Sequence, residues 1–262
     1  MEKYSEIRKK KESVKYQTHY KSSTINTDAT LGTIESDAQG LYGKFQKESF
    51  RGSKVLHKML TDYKFEIVLD IGAGRLEASK CFIENGKTVD VCDYEDGYYY
   101  NNSVIPRDSI RKSHIGDFNV LDISEEYDAV WCSHVLEHQL NPNIFLKKLY
   151  NVLKEGGVLG IVVPPRKPFI VGGHVSLWNG GMLLYHLILA GFDCRNAKLI
   201  QYDYNIGLIV EKKSIKSFPK IQYDLGDITL LKPYFPLDVD EGFNGDIMNI
   251  GFGECESSYP SK

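Results

Sequence analysis

Asp70, Gly72 and Gly74 alternate at the end of the short apolar run Ile67-Val68-Leu69, in the stretch EIVLDIGAG. A carboxylate followed by two glycines brings backbone N–H groups and an acceptor close to a ligand, with no side chain in the way. A second carboxylate, Asp93, closes the run Thr88-Val-Asp-Val-Cys-Asp93 and lies 19 residues beyond Gly74. One strand–helix–strand unit spans that distance and sets such a carboxylate beside a ribose, where it accepts from both hydroxyls. Histidines supply a different chemistry. His134 and His138 follow the run Tyr127-Asp-Ala-Val-Trp-Cys-Ser133, and His174 follows Gly172 and Gly173. An imidazole titrates near neutrality and can take the proton of an attacking hydroxyl.

The elements that position these groups follow from the pattern around them. Residues 67–70 read as a buried parallel strand feeding a glycine turn, and Leu76, Ala78, Cys81 and Phe82 as the apolar stripe of the next helix. A dinucleotide fingerprint has Gly or Ala where this chain has Glu77. A carboxylate in the first helical turn suits the helix dipole and repels a phosphate. The pocket therefore fits a ligand with adenosine and positive charge but no phosphate, a description that S-adenosylmethionine meets. Further strands are expected at 88–93, 114–118, 127–133 and 158–163. A helix from Asn141-Pro142 to Gly156-Gly157 lies between the last two. A helix over 182–190, stopped by Gly191, and a hairpin of 197–202 with 206–210 complete the pattern. Strands alternating with helices at this spacing give a doubly wound, mostly parallel α/β sheet.

Asp70-Ile-Gly72-Ala-Gly74 resembles motif I of the class I methyltransferases. The block Asp128-Ala-Val, Val135-Leu-Glu-His138, Asn141-Pro142 resembles the region after strand four in a large branch of that family. The resemblance covers residues 65–213. It implies a seven-stranded Rossmann-like sheet with an antiparallel terminal strand, and S-adenosylmethionine as cofactor with S-adenosylhomocysteine as product. It also implies cofactor contacts from Asp70, Gly72, Gly74, Asp93, Tyr94, Ser133 and His134, with Asp117 and Phe118 holding the adenine. His174 is the candidate base, with His138 behind it, and Trp178, Asn179, Tyr202 and Tyr204 are candidates for holding the acceptor. Trp178 offers a flat face of the kind that stacks on a sugar ring. Over the whole chain, including Tyr234-Phe-Pro236 and Gly242-Phe-Asn-Gly245, the likeness is closest to methyltransferases of bacterial capsule or lipo-oligosaccharide gene clusters. That implies O-methylation of a sugar or nucleotide-activated sugar. A phosphoramidate or amine acceptor, or a cofactor-binding subunit without catalysis, are the alternatives. An NAD-dependent sugar enzyme is opposed by Glu77 and by the absence of a Tyr-x-x-x-Lys pair after strand four.

The remaining residues bound this reading. The chain has 262 residues and a net charge of −3, which gives no reason to expect nucleic acid as a partner. Five scattered cysteines without a C-x-x-C pair read as reduced thiols of a cytoplasmic protein. No histidine lies in a spacing such as H-E-x-x-H, so no metal is expected. MEKYSEIRKKKESVKY has no apolar core, so no signal peptide is expected, and no stretch is long enough to span a bilayer. Residues 1–64 read as an N-terminal helical extension or lid and 65–213 as the ligand-binding domain. Residues 214–262 read as a strap packed on that domain and over its acceptor site, because their aromatic residues need burial.

Overall fold

A computed structural model describes residues 50–95 and 99–253. The order is α1 (Ser53–Asp62), β1 (Ile67–Ile71), α2 (Glu77–Glu84), β2 (Thr88–Asp93), β3 (Lys112–Ile115), β4 (Tyr127–Ser133), α3 (Pro142–Val152) and β5 (Leu153–Val163). There follow α4 (Gly180–Ala190), β6 (Lys198–Tyr202), β7 (Asn205–Glu211), a single turn α5 (Asp227–Leu231) and β8 (Asn249–Ile250). The strands form one sheet in the order β3-β2-β1-β4-β5-β7-β6-β8. β1 to β5 are parallel, β7 runs antiparallel to both β5 and β6, and β8 is antiparallel to β6. The expected sheet of seven strands thus gains an eighth. It comes from the segment after β7, which sequence patterning read only as a strap.

Alternation along the strands divides the core in two. Leu69, Val130, Cys132, Leu159 and Ile161 face α3 and α4, whereas Val68, Ala129 and Trp131 face α1 and α2. α1 settles directly on the second face: a Cβ on Gly207 would lie 2.1 Å from Val55 Cγ2. α1 is therefore a packing helix. Of the expected extension 1–64, residues 1–49 lie outside the described residues.

The largest differences from the sequence reading are at β5 and β3. β5 begins at Leu153 rather than 158, because α3 is stopped by a side chain from the end of the neighbouring strand β7. Buried Lys212 donates from Nζ to the carbonyls of Tyr150 (2.8 Å) and Leu153 (2.7 Å). An ammonium at a helix C-terminus satisfies orphan carbonyls and complements the dipole. β3 lies two residues earlier than expected, at Lys112–Ile115, and the chain turns at Gly116 so that Phe118 enters the core.

A charged group lies in the middle of the sheet. Asp90 on β2 is fully buried and accepts from Arg111 Nε (2.7 Å), Arg111 Nη2 (2.6 Å) and Tyr127 Oη (2.9 Å). Arg111 also reaches Glu125 at 2.6 Å. This network reaches across β1, tying β2 to β4 and to the loop before it.

After β7 the chain crosses the α4 side of the molecule. Leu231, Phe235 and Val239 are buried there, and Phe235 stacks on Tyr185 of α4 at 6.4 Å between ring centroids. The loop 242–245 meets the start of α4, where Gly181 N donates to Gly245 O (2.9 Å). Arg166 pairs with Asp246 at 3.3 Å. Tyr234 and Phe243 are partly buried against the same core. Among the described residues, no helix is long and apolar enough to cross a membrane.

Candidate active site

The chain reverses direction of strand addition between β1 and β4, and a crevice opens there at the carboxyl edge of the sheet, as such switch points require. The cleft has a volume of about 680 Å³. Asp70, Gly72, Gly74 and Glu77 line one wall, Ser133, His134, Glu137 and His138 the other, with His174 and Arg51 at the rim. Gly72 has φ 68°, and a Cβ there would lie 2.2 Å from Val135 Cγ2, so the loops after β1 and β4 touch through it. Glycine is needed for both reasons.

The β1 loop is tied to β2 by Asp93, whose carboxylate accepts from Gly74 N (2.5 Å) and from Tyr94 N (2.7 Å). Asp93, Tyr94, Asp117 and Phe118 line a small recess of about 50 Å³ that Gly72 joins to the main cleft. The expected ribose and adenine groups are thus brought together. Asp117 accepts from Asn119 N (2.9 Å), and the Phe118 ring meets Phe145 edge-on at 5.3 Å. Asp70 is buried and accepts from Ser79 Oγ (2.6 Å). Burial pushes its carboxyl up to about 7; the Ser79 hydroxyl opposes this and the Asp93 charge adds to it. Glu77 opens α2 at the edge of the cleft, 3.7 Å from Arg75 Nη1.

Patterning missed Arg107 and Gln139. Arg107 donates to the carbonyls of Gly74 (3.4 Å) and Tyr100 and covers the Tyr100 ring, clamping the glycine turn from outside. It lies in a stretch without periodicity, so no sequence signal marks it. Gln139 lines the small recess and accepts from Asn119 Nδ2 (2.9 Å).

The β4 wall carries an acid enclosed by imidazoles. Glu137, on the single 3₁₀ turn Leu136–His138, is completely buried. His134 Nδ1 lies 3.3 Å and His138 Nε2 3.7 Å from its Oε1. The backbone carbonyl of Glu137 accepts from Val175 N (2.8 Å) and Ser176 N (3.3 Å), which pins the loop after β5 against this turn. His174 is thereby set edge-on to His138, with 5.0 Å between ring centroids. The His174 pKa lies below the ordinary imidazole value; burial is the main cause, and the positive charge that His138 can carry adds to it, against the pull of Glu137. His134 lines the cleft, and its ring reaches Asn205 Oδ1 through Nε2 at 2.9 Å.

Three of the four acceptor candidates are elsewhere. Trp178 is 2 % exposed, its Nε1 donating to Ser176 Oγ (3.0 Å) and its ring against His186, so it has no face to offer a sugar. Asn179 caps α4 by accepting from Met182 N (2.8 Å) and donating to Asn244 O (2.9 Å). Tyr202 is buried under Lys54 on the α1 side. An aromatic followed by a polar residue reads alike in a binding loop and at a helix start, and here the helix start takes both. Tyr204 remains near the cleft, stacked on His134 at 6.1 Å, with Arg51 at 5.6 Å and Lys167 at 4.1 Å from its ring centroid. Among the described residues, none after β7 lines the cleft.

The model of a methyltransferase domain family matches residues 69–161. No curated protein matches the chain in sequence. Among solved structures, the chain is similar to the 1,6-didemethyltoxoflavin-N1-methyltransferase of Burkholderia thailandensis, solved with S-adenosylhomocysteine. Identity is 19%, the TM-score 0.52, and coverage 62% of this chain and 77% of that one. It is also similar to human N-acetylserotonin methyltransferase, solved with S-adenosylmethionine. Identity there is 18%, the TM-score 0.50, and coverage 68% of this chain and 61% of that one. From Leu69 to Ile161 the chain thus matches a methyltransferase domain model, and the mostly parallel sheet around that stretch has the Rossmann-like fold of these solved methyltransferases.

Proposed function

We propose that the chain transfers a methyl group from S-adenosylmethionine to an oxygen of a small acceptor, a sugar or nucleotide-activated sugar of a bacterial surface polysaccharide. One observation carries the reading. An acidic cofactor wall (Asp70, Glu77, Asp93) and a histidine–carboxylate corner (Glu137, His138, His174) meet at one switch-point cleft. The acidic wall suits the sulfonium and ammonium of the cofactor, and the corner suits activation of an acceptor hydroxyl. When bound, the cofactor supplies a methyl group on a leaving sulfur; the chain orients the two reactants and handles the proton. His174 is the group placed to take that proton. Support for a phosphate-bearing acceptor comes from Arg51 and Lys167, two cations flanking Tyr204 at the rim. The sequence likeness to capsule-cluster methyltransferases supports the polysaccharide setting.

Calorimetry with S-adenosylmethionine tests the cofactor. Asp93→Ala should weaken binding by about 1–3 kcal/mol, since it leaves the Gly74 amide and a ribose without their partner. Unchanged affinity would remove Asp93 from the site. Transfer of labelled methyl to a panel of sugar nucleotides tests the acceptor, and Arg51→Ala should raise KM for phosphate-bearing acceptors alone. Cofactor binding without turnover on any hydroxyl would instead favour a non-catalytic subunit.

Asp70 adds a pH dependence. Its folded pKa is raised to about 7, so the folded chain holds a proton that the unfolded chain has lost above about pH 4. Its contribution to stability is complete below about pH 4 and is lost as pH rises through about 7. Cofactor affinity moves the other way, because a cationic ligand favours the ionised carboxylate. Affinity should fall as pH drops below about 7, and calorimetry in buffers of different ionisation enthalpy should register proton release. In Asp70→Asn both dependences should vanish.

A further inference from the structure

We propose that Glu137, His138 and His174 form a binding site for one divalent transition-metal ion, contrary to the absence of metal expected from sequence spacing. One ligand atom from each lies within 4.8 Å of those of the other two, and all three residues face the same cleft. The spacing test failed because it looks for ligands on one helix. Here the 3₁₀ turn after β4 supplies two, and the loop after β5 supplies the third.

The hydrogen bonds around the corner show what it lacks. His138 Nδ1 is 2.7 Å from the carbonyl of Gly173, which can only accept, so Nδ1 carries the proton and donates. With the proton on Nδ1, Nε2 is the nitrogen free to hold a ligand, and it faces Glu137 Oε1 3.7 Å away. His134 is held the same way. Its Nε2 donates to Asn205 Oδ1 at 2.9 Å, leaving the lone pair of Nδ1 facing Glu137 at 3.3 Å. Glu137 is 0 % exposed, and neither of its carboxylate oxygens receives a hydrogen bond from the described residues. Lone pairs converging on a buried carboxylate repel unless positive charge sits among them. The charge can be protons on the rings or a cation between them. The pattern fits the cation: an imidazole whose far nitrogen donates to a backbone carbonyl is oriented as metal ligands are, with its free nitrogen fixed on the ion. Two imidazoles and one carboxylate, on one side of an open cleft, suit zinc, cobalt, manganese or iron(II) over magnesium or calcium.

Binding at this corner stands by itself; its part in transfer rests on the methyltransferase reading. A cation here takes the acceptor hydroxyl oxygen as a further ligand and favours loss of its proton to solvent water. The oxygen then attacks the methyl carbon, and the carbon–sulfur pair leaves on sulfur as S-adenosylhomocysteine. With the cation in place, His174 is a ligand and solvent water, not its ring, takes the acceptor proton; without the cation, the ring keeps the role of base.

The full chain, stripped with EDTA and dialysed, is titrated with Co²⁺ and with Zn²⁺. One equivalent should bind, with visible d–d absorption for Co²⁺, and displacement by Zn²⁺ should remove that absorption. Glu137→Gln and His138→Ala should each weaken binding at least tenfold, whereas His114→Ala, remote from the cleft, should not. Circular dichroism of the near-isosteric Glu137→Gln variant separates loss of the site from loss of the fold. Cofactor binding is measured on the same stripped protein. Retained S-adenosylmethionine binding with no stoichiometric Co²⁺ site overturns the metal proposal and spares the methyltransferase reading. A Co²⁺ site without cofactor binding does the reverse. Co²⁺ binding that survives both substitutions at the corner also overturns the proposal.

Discussion

Replacing His174 with alanine should lower kcat by about 10²- to 10⁴-fold while leaving affinity for S-adenosylmethionine nearly unchanged. The loop that carries it is fixed by main-chain bonds from Val175 and Ser176 to Glu137, not by the imidazole, so the loop stays in place when the ring is removed. The ring is within reach of His138 and Glu137, and it is not among the residues that line the Asp93 and Asp117 recess. A loss confined to kcat identifies a group that acts in the transition state. A matching fall in thermal stability would instead mark a bracing residue, and normal turnover would shift the role to His138. The pH profile gives a second reading. Burial lowers the His174 pKa from the ordinary imidazole value, so the acid limb of kcat should be displaced toward lower pH relative to a free imidazole. Sensitivity of the wild-type rate to EDTA then separates a ligand from a base.

Arg111→Ala should cost about 3–5 kcal/mol of folding stability, the penalty for leaving a buried carboxylate without its partner. Asp90 has no route to solvent, and its two oxygens are filled by the guanidinium fork and the Tyr127 hydroxyl. Two parallel bonds of 2.7 and 2.6 Å give the geometry in which arginine and carboxylate interact most strongly. Urea denaturation should show a lower midpoint at an unchanged slope. Replacing Asp90, Arg111 and Tyr127 together by Leu, Met and Phe should recover most of the loss, because the cost lies in the orphaned charge. A single-mutant loss below about 1 kcal/mol would mean that water reaches the strand.

The sequence disclosed the groups that lie on strands or at their ends. The bounds of β4 agree to the residue, and Asp70, Gly72, Asp93, Asp117 and Phe118 all lie at the carboxyl edge of the sheet, since strand order and the right-handed crossover leave them only one edge to occupy. What it concealed depends on side chains from distant segments meeting. Lys212 stops α3, Arg107 clamps the glycine turn, Arg111 neutralises Asp90, and Trp178 turns inward. None of these pairings leaves a periodicity or a fixed spacing. The metal-type corner was hidden for the same reason, although both halves of it, Leu-Glu-His and Gly-Gly-His, stood out separately.

The eighth strand has a consequence for biosynthesis. Asn249–Ile250 lies along β6, and Gln201 N donates to Met248 O at 2.8 Å. Until that segment emerges from the ribosome, β6 is the open margin of an otherwise finished sheet. At about 5–20 residues per second, the stretch between β7 and β8 takes roughly 2–8 s to synthesise. During that interval neighbouring nascent chains on one message can pair margin to margin, as unpaired strands do. A stop codon placed just after β7 would make that interval permanent, so the truncated product should accumulate as aggregate even where its cleft is complete.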